Sequence, residues 1–400
     1  MAWISAQDAL RILGVRPQTL YANVSRGRIR ARPDPRDSRR SEYREEDVLR
    51  AARQARGRRK VATIAAQAIE WGDPVLPSAI STVVDGRHWY RGQDAIALAA
   101  RAPLEDIAAL LWQTEPLTFA PADTPRVRAR TLASRPPISP GPALAAGFAT
   151  VAQRAGLDFP TLGRTPAALR AEARDVMASL CAAMLGAAVP RHVALHAHIC
   201  AQWRSPAAAN FVRRALVLMA DHELNASAFS VRVTISTGAS LAAGILAGLA
   251  TLSGPLHAGA TQAVAALAEE ARIHGPESAV RACLAQGRPL PGFGHPLYPD
   301  GDPRAAMLLA TSKPPVHYRR LAEYVEANVG EIASVDFALA AGCARHELPA
   351  DAPFVLFALG RCVGWLAHAL EQAQAQRLIR PRARYVGIAP GASPQSLPRE

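Results

Sequence analysis

The sequence predicts a mainly α-helical protein, and three observations carry that prediction. From residue 64 onward the composition turns Ala- and Leu-rich, with apolar residues recurring at helical spacing. Strand signals are few and confined to residues 80–84 and 88–90. The first 60 residues differ from the rest: they hold 16 Lys or Arg against 7 Asp or Glu, so most of the net charge of +13 sits at the front. A chain of 400 residues can bury a large core behind a small leading module.

In that module, Ser5 caps a helix with Ala9, Leu10 and Leu13 inward, ended by Gly14. Pro17 opens a second helix through Val24, which is helix-turn-helix spacing. Arg26, Arg28, Arg30, Arg32, Arg36, Arg39 and Arg40 then lead to Tyr43 and a third helix over 44–49. Residues 3–55 resemble the winged helix-turn-helix of MerR-type regulators and phage excisionases, with the Arg-rich segment in place of the wing. The resemblance implies that Gln18, Thr19, Tyr21 and Asn23 face base edges or sugars, and that wing arginines such as Arg39 and Arg40 neutralise phosphates. A module kept for protein contacts is the other reading, because arginine is the default cation throughout, with 44 Arg and only two Lys, Lys60 and Lys313. The module spans 1–55, a basic linker 56–63, and DNA stays open as a partner.

The main unit runs from 64 to 387. Helical patterns occupy 93–100, 103–112, 143–155, 166–186 and 206–220, with a Pro- and Arg-rich exposed connection at 121–142. Residues 233–268 carry no Asp, Glu, Lys or Arg, but their glycines and Pro255 break them below the length of a membrane span, so a buried or subunit-interface helix is expected. Cys181, Cys200, Cys283, Cys343 and Cys362 form no Cys-x-x-Cys pair and read as buried free thiols in a reducing, cytoplasmic setting. No secretory leader pattern, P-loop or dinucleotide-binding glycine signature is present, and residues 388–400 read as a flexible tail.

Three segments of the second half concentrate chemistry: Ser253-Gly-Pro-Leu-His257-Ala-Gly-Ala260, Pro291-Gly-Phe-Gly-His295-Pro-Leu-Tyr298 with Asp302-Pro-Arg304, and Ser334-Val-Asp336-Phe337. Two imidazoles among glycines, a carboxylate and nearby arginines suit removal of a proton beside one carbonyl and addition of that carbon to another. Further segments surround them in order: 79–86 with Tyr90-Arg91-Gly92, Asp221-His222-Glu-Leu-Asn225-Ala-Ser227, Gly360-Arg361-Cys-Val-Gly364-Trp365-Leu-Ala-His368, and Arg380-Pro381-Arg382. Together they resemble the citrate synthase family over about 64–387.

The resemblance implies a two-lobed helical fold, with a small lobe at about 210–320, and a homodimer with a shared active site. It implies Asp336 as the base, His257 as the stabiliser of the enolate and His295 as the group that activates the ketone. It assigns His222, Arg304, Arg361 and Arg380 to oxaloacetate, the last supplied by the other subunit. It assigns the backbone of Gly292, Phe293 and Gly294 to coenzyme A, with a CoA thioester as co-substrate and no permanently bound cofactor. Independently of that, Val335 and Phe337 give Asp336 an apolar setting that raises its pKa. His257 is expected to open a helix running to Glu270, whose dipole favours a neutral ring.

Departures from the family pattern fall on the CoA side: Pro296 follows the Gly-x-Gly-His motif, Pro299-Asp300-Gly301 replaces a basic stretch, Ala258 stands for a glycine, and Ala338-Leu339-Ala340 follows Phe337. They leave the acyl donor open between acetyl-CoA and propionyl-CoA. A DNA-binding regulator that senses a CoA ester or keto acid is the reading from another class. His192, His196, His198 and Cys200 have a spacing that suits zinc, but no second cluster completes it and the chemistry needs no metal, so no metal is expected.

Overall fold

The computed structural model describes residues 3–13, 20, 24, 29–34, 41–49, 76–121, 143–383 and 385. The chain divides into two compact units, one within 1–77 together with 382–400, the other 78–381.

In the front unit, β1 (Trp3–Ser5) leads into α1 (Ala6–Leu13), and β2 (Ala31–Pro33) and β3 (Ser41–Arg44) complete an antiparallel sheet in the order β1-β3-β2. Ser5 caps α1 as expected, its Oγ accepting from the Asp8 amide at 3.1 Å. Residues 45–49 are helical. Ala9, Leu20, Ile29, Tyr43 and Val48 form a small core of their own. Gln18, Thr19, Tyr21, Asn23, Arg39 and Arg40 lie outside the described residues, as do the linker 56–63 and the tail 388–400.

The second unit begins with a hairpin, β4 (Ser81–Val84) and β5 (Arg87–Tyr90), extended by β6 (Gln93–Asp94). Asp85 and Gly86 turn it with φ of 50° and 69°, the pair of left-handed residues that a two-residue hairpin loop demands. Helices follow: α2 (Ala95–Arg101), α3 (Leu104–Trp112), α4 (Ala143–Leu157), α5 (Pro166–Leu185), α6 (Leu195–Gln202), α7 (Ala209–Met219), α8 (Ala226–Ser236) and α9 (Leu241–Leu252). Then come α10 (Ala260–His274), α11 (Pro276–Ala285), α12 (Pro303–Ser312), α13 (Val316–Val329), α14 (Val335–Arg345) and α15 (Ala352–Ala375). Their starts are written locally: Asp94, Thr165, Asn225, Ser240 and Asp302 each accept a backbone N–H from the first turn.

Two apolar clusters hold this unit together. The larger surrounds α15, which is apolar and long enough to cross a membrane but whose apolar stretch is buried inside the protein. The smaller joins α10, α11, α13 and one face of α14. Buried apolar residues from Phe211 to Leu252 belong to the larger cluster, and the smaller one extends to Ala341. Helical periodicity reports which face is buried, not which neighbour buries it. The charge-free run 233–268 is the end of α8, all of α9, a turn and the start of α10, and all five cysteines are buried and free.

Glycines on α15 decide where the chain before α8 lies. A Cβ on Gly364 would stand 2.3 Å from the Ala220 carbonyl and 2.4 Å from Asp221 Oδ1, and one on Gly360 would stand 2.8 Å from the Leu216 carbonyl. Their absence lets α15 pass against the end of α7, where the Gly364 amide donates to the Ala220 carbonyl at 2.9 Å.

Candidate functional site

The segment between α7 and α8 is stitched to the hairpin. Ser81 Oγ donates to Asp221 Oδ2 at 2.5 Å and accepts the Glu223 amide at 2.8 Å, while Glu223 Oε1 accepts the Val83 amide at 2.6 Å. Tyr90, fully buried, donates its hydroxyl to the Val217 carbonyl at 2.9 Å. His222 sits at the centre of this seam, with Nε2 2.8 Å from the Tyr298 hydroxyl. Its ring meets that of His295 edge to face at 5.3 Å. Burial, with Arg304 next, holds His222 well below the ordinary histidine pKa, so it is neutral near pH 7.

His295 is placed by the Gly-x-Gly loop. Gly292 has φ of 82°, and a Cβ there would stand 2.6 Å from a Val264 methyl, so only glycine fits. The Gly292 carbonyl accepts the Ser334 amide at 2.8 Å, and the Gly294 amide donates to the Ile332 carbonyl at 2.9 Å. This pairing brings His295 beside the start of α14. Phe293 turns into the smaller core, 4.9 Å from the Phe337 ring, so its side chain is packing. The Leu297 amide donates to His295 Nδ1 at 3.2 Å. A neutral His295 therefore carries its proton on Nε2, and burial and Arg304 lower its pKa to about 4.

His257 lies in the turn before α10, which runs past Glu270 to His274. Its Nε2 is 3.0 Å from Ser227 Oγ, which accepts from Trp365 Nε1 at 3.1 Å and donates its proton to Asn225 Oδ1 at 2.7 Å. Burial, then Arg361, lowers its pKa to about 4.

Asp302 binds Arg304 through both carboxylate oxygens, at 3.0 and 2.8 Å, and accepts the Val335 amide at 3.2 Å. Burial alone would lower the Arg304 guanidinium, but Asp302 outweighs it and raises the pKa. Arg361 is equally buried; among the described residues its hydrogen bond runs from Nε to the Met219 carbonyl at 2.9 Å. Burial brings its pKa down to about 10, so it remains a cation. Asp336, in the first turn of α14, has a buried Oδ1 with no hydrogen-bond partner among the described residues. Burial raises its pKa to about 6 against the pull of Arg304 and Arg361. A cavity of about 140 Å³ opens beside His295, Tyr298, Asp302 and Ser334.

His222, His295, Arg304, Arg361, His257 and Asp336 thus gather on the walls of one unit. Arg380 does not join them: it is exposed beyond the end of α15. Sequence reasoning missed Tyr298 and Ser227 as partners of His222 and His257, although both ended segments it had singled out. It also passed over His88, whose strand position alone gives no sign of its neighbours. Among the described residues no group of three His, Cys, Asp or Glu is placed to hold a metal, and His198 Nε2 instead meets the Ala187 carbonyl at 3.2 Å.

Residues 70–382 match the model of the citrate synthase C-terminal domain. Citrate synthase 2 of Bacillus subtilis is 39% identical over 196 residues, covering 46% of this chain and 52% of that protein. The 2-methylcitrate synthase of Shewanella oneidensis is 32% identical over 186 residues, covering 44% and 50%. The chain's match thus spans about half the length of these curated relatives. The citrate synthase of Thermotoga maritima superposes with a TM-score of 0.65 at 24% identity, over 80% of this chain and 95% of that one. The Thermoplasma acidophilum citrate synthase, solved as a ternary complex with carboxymethyl coenzyme A and oxaloacetate, gives 0.64 at 25% identity, over 79% and 94%.

Proposed function

Because its residues 70–382 carry the family's domain, the chain belongs to the citrate synthase family, and we propose that it joins acetyl-CoA to oxaloacetate, releasing citrate and CoA. The observation that carries this reading is Asp336: a carboxyl with a buried oxygen unpartnered among the described residues and a pKa of about 6 is a base that ionises at neutral pH yet remains basic enough to act.

In this mechanism Asp336 takes a methyl proton from the thioester, and the C–H electron pair becomes an enolate. His257, its Nε2 anchored to Ser227 Oγ, is the ring that stabilises the enolate at the thioester oxygen. His295, its Nδ1 engaged by Leu297, offers Nε2–H to the ketone oxygen and gives up that proton as the carbon–carbon bond forms. Water then cleaves the citryl thioester, and the thiol of CoA leaves. His222, Arg304 and Arg361 hold the dicarboxylate, the arginines as cations and the imidazole as a neutral donor or acceptor. The backbone of Gly292, Phe293 and Gly294 faces the CoA chain, and Arg380 of a second copy completes the site in a homodimer, which its exposure here supports.

Propionyl-CoA is the alternative donor, since one methylene is worth only about 1–3 kcal/mol of discrimination. Thiol release from each thioester, with and without oxaloacetate, tests the reading on the native protein and on Asp336→Ala. Release that needs oxaloacetate and disappears in the variant supports it, and the ratio of the two rates names the donor. A second reading, a DNA-binding regulator, is favoured by the basic front and by its three-stranded sheet with a separate core. Salt-sensitive DNA retention by the full chain that responds to oxaloacetate, without turnover, would support that instead.

A further inference from the structure

The inner face of β5 carries two residues, His88 and Tyr90, both with no exposed surface. Tyr90 is satisfied by the carbonyls at the end of α7. His88 is not: neither Nδ1 nor Nε2 has a hydrogen-bond partner among the described residues. Its ring lies edge to face against Tyr90 at 4.7 Å and against His222 at 5.0 Å. The charged groups acting on it are Arg304, Asp221, Arg361 and Asp302, which belong to or support the site. Burial and these arginines lower its pKa to about 3, so the ring is neutral, with one N–H to give and one lone pair to receive.

A buried polar group without a partner costs stability, and an apolar side chain of similar size would avoid that cost. Imidazole in this position is explained if the missing partner arrives with the ligand. A neutral ring also adds a donor near two arginines without adding a third positive charge. We propose that His88 is a substrate-contacting residue of the keto-acid site, its ring N–H donating to a carboxylate oxygen of the bound dicarboxylate held by Arg304 and Arg361. This rests on the oxaloacetate reading above.

The test is calorimetric titration of oxaloacetate into the full-length protein and into His88→Leu, His88→Asn and His88→Gln, with steady-state thiol release and thermal melting on each. The proposal expects His88→Leu to weaken oxaloacetate binding about tenfold or more, the loss that follows removal of one hydrogen bond to a charged group. It expects the KM for the thioester to move by less than about twofold and the melting temperature to hold or rise, since the unpartnered nitrogens are gone. One of the two amides, whichever places its N–H where the ring had it, recovers part of the affinity. Equal oxaloacetate affinity in native protein and His88→Leu overturns the role of His88 alone. A fall in melting temperature with loss of both substrates and no amide rescue also overturns it, marking a packing residue. Native protein that binds no oxaloacetate overturns this role together with the function proposed above.

Discussion

Asp302 grips Arg304 with both carboxylate oxygens while receiving the amide of Val335, so one side chain joins the start of α12 to the start of the helix that carries Asp336. The proposed substrate-binding cation and the proposed base are thereby set by the same buried carboxylate. Burial would raise the Asp302 pKa, but Arg304 outweighs it and lowers it.

Asp302→Asn leaves Arg304 as a buried cation without its counter-charge. The expected loss of stability is about 3–5 kcal/mol, read from denaturant midpoints, with a higher KM for oxaloacetate in whatever protein remains folded. The native pair stabilises the fold above the unfolded-state pKa of Asp302, and that contribution is lost as pH falls through the depressed folded value. The acid limb of the stability profile should therefore flatten in the variant.

Asp336 behaves in the opposite sense. Its pKa is raised from 3.8 to about 6, so the fold holds the proton more tightly than the unfolded chain, and stability declines as pH rises across that window. Turnover needs the ionised form, so kcat/KM should fall about tenfold per pH unit below the folded value. Asp336→Asn should lose about 10²–10⁴-fold in kcat while melting at the same or a higher temperature above neutral pH. An unchanged rate would remove Asp336 from the chemistry.

Ser227→Ala takes away the hydroxyl that meets His257 Nε2 and leaves the buried Trp365 N–H without its acceptor. His257 is then free to adopt either tautomer. We expect kcat to fall about tenfold or more, with a smaller change in the KM for oxaloacetate, measured by initial rates of thiol release.

Gly364→Ala forces a methyl group into backbone and carboxylate oxygens at 2.3 and 2.4 Å. Overpacking of this kind costs about 1–3 kcal/mol or more, and here the displaced segment carries His222, so oxaloacetate affinity should fall with stability. Gly156→Ala on α4 is the control: no atom lies within 4 Å of its Cβ, and a gain of about 0.5–1 kcal/mol is expected. Thermal melts of the two variants should move in opposite directions.

Much of the helical unit was legible because its signals are local. Apolar residues at helical spacing and the Ser5 cap depend on near neighbours in the chain and read the same before folding as after. The apolar flanks of Asp336 likewise announced a raised pKa. Which core receives α7, α8 and α9 was not legible, because their apolar spacing is the same whichever neighbour buries it.

By itself, then, the sequence determined that this chain is largely helical, that its charge is concentrated at the front, and which histidines, arginines and aspartate carry the family's motifs. Tertiary structure decided what those groups can do. Tyr298 reaches His222 across 76 residues, Ser81 reaches Asp221 across 140, and Trp365 reaches Ser227 across 138. The physical reason is that a tautomer, a depressed imidazole pKa or an unpartnered nitrogen such as those of His88 depends on burial and on partners distant in sequence. Only the packed chain brings these together.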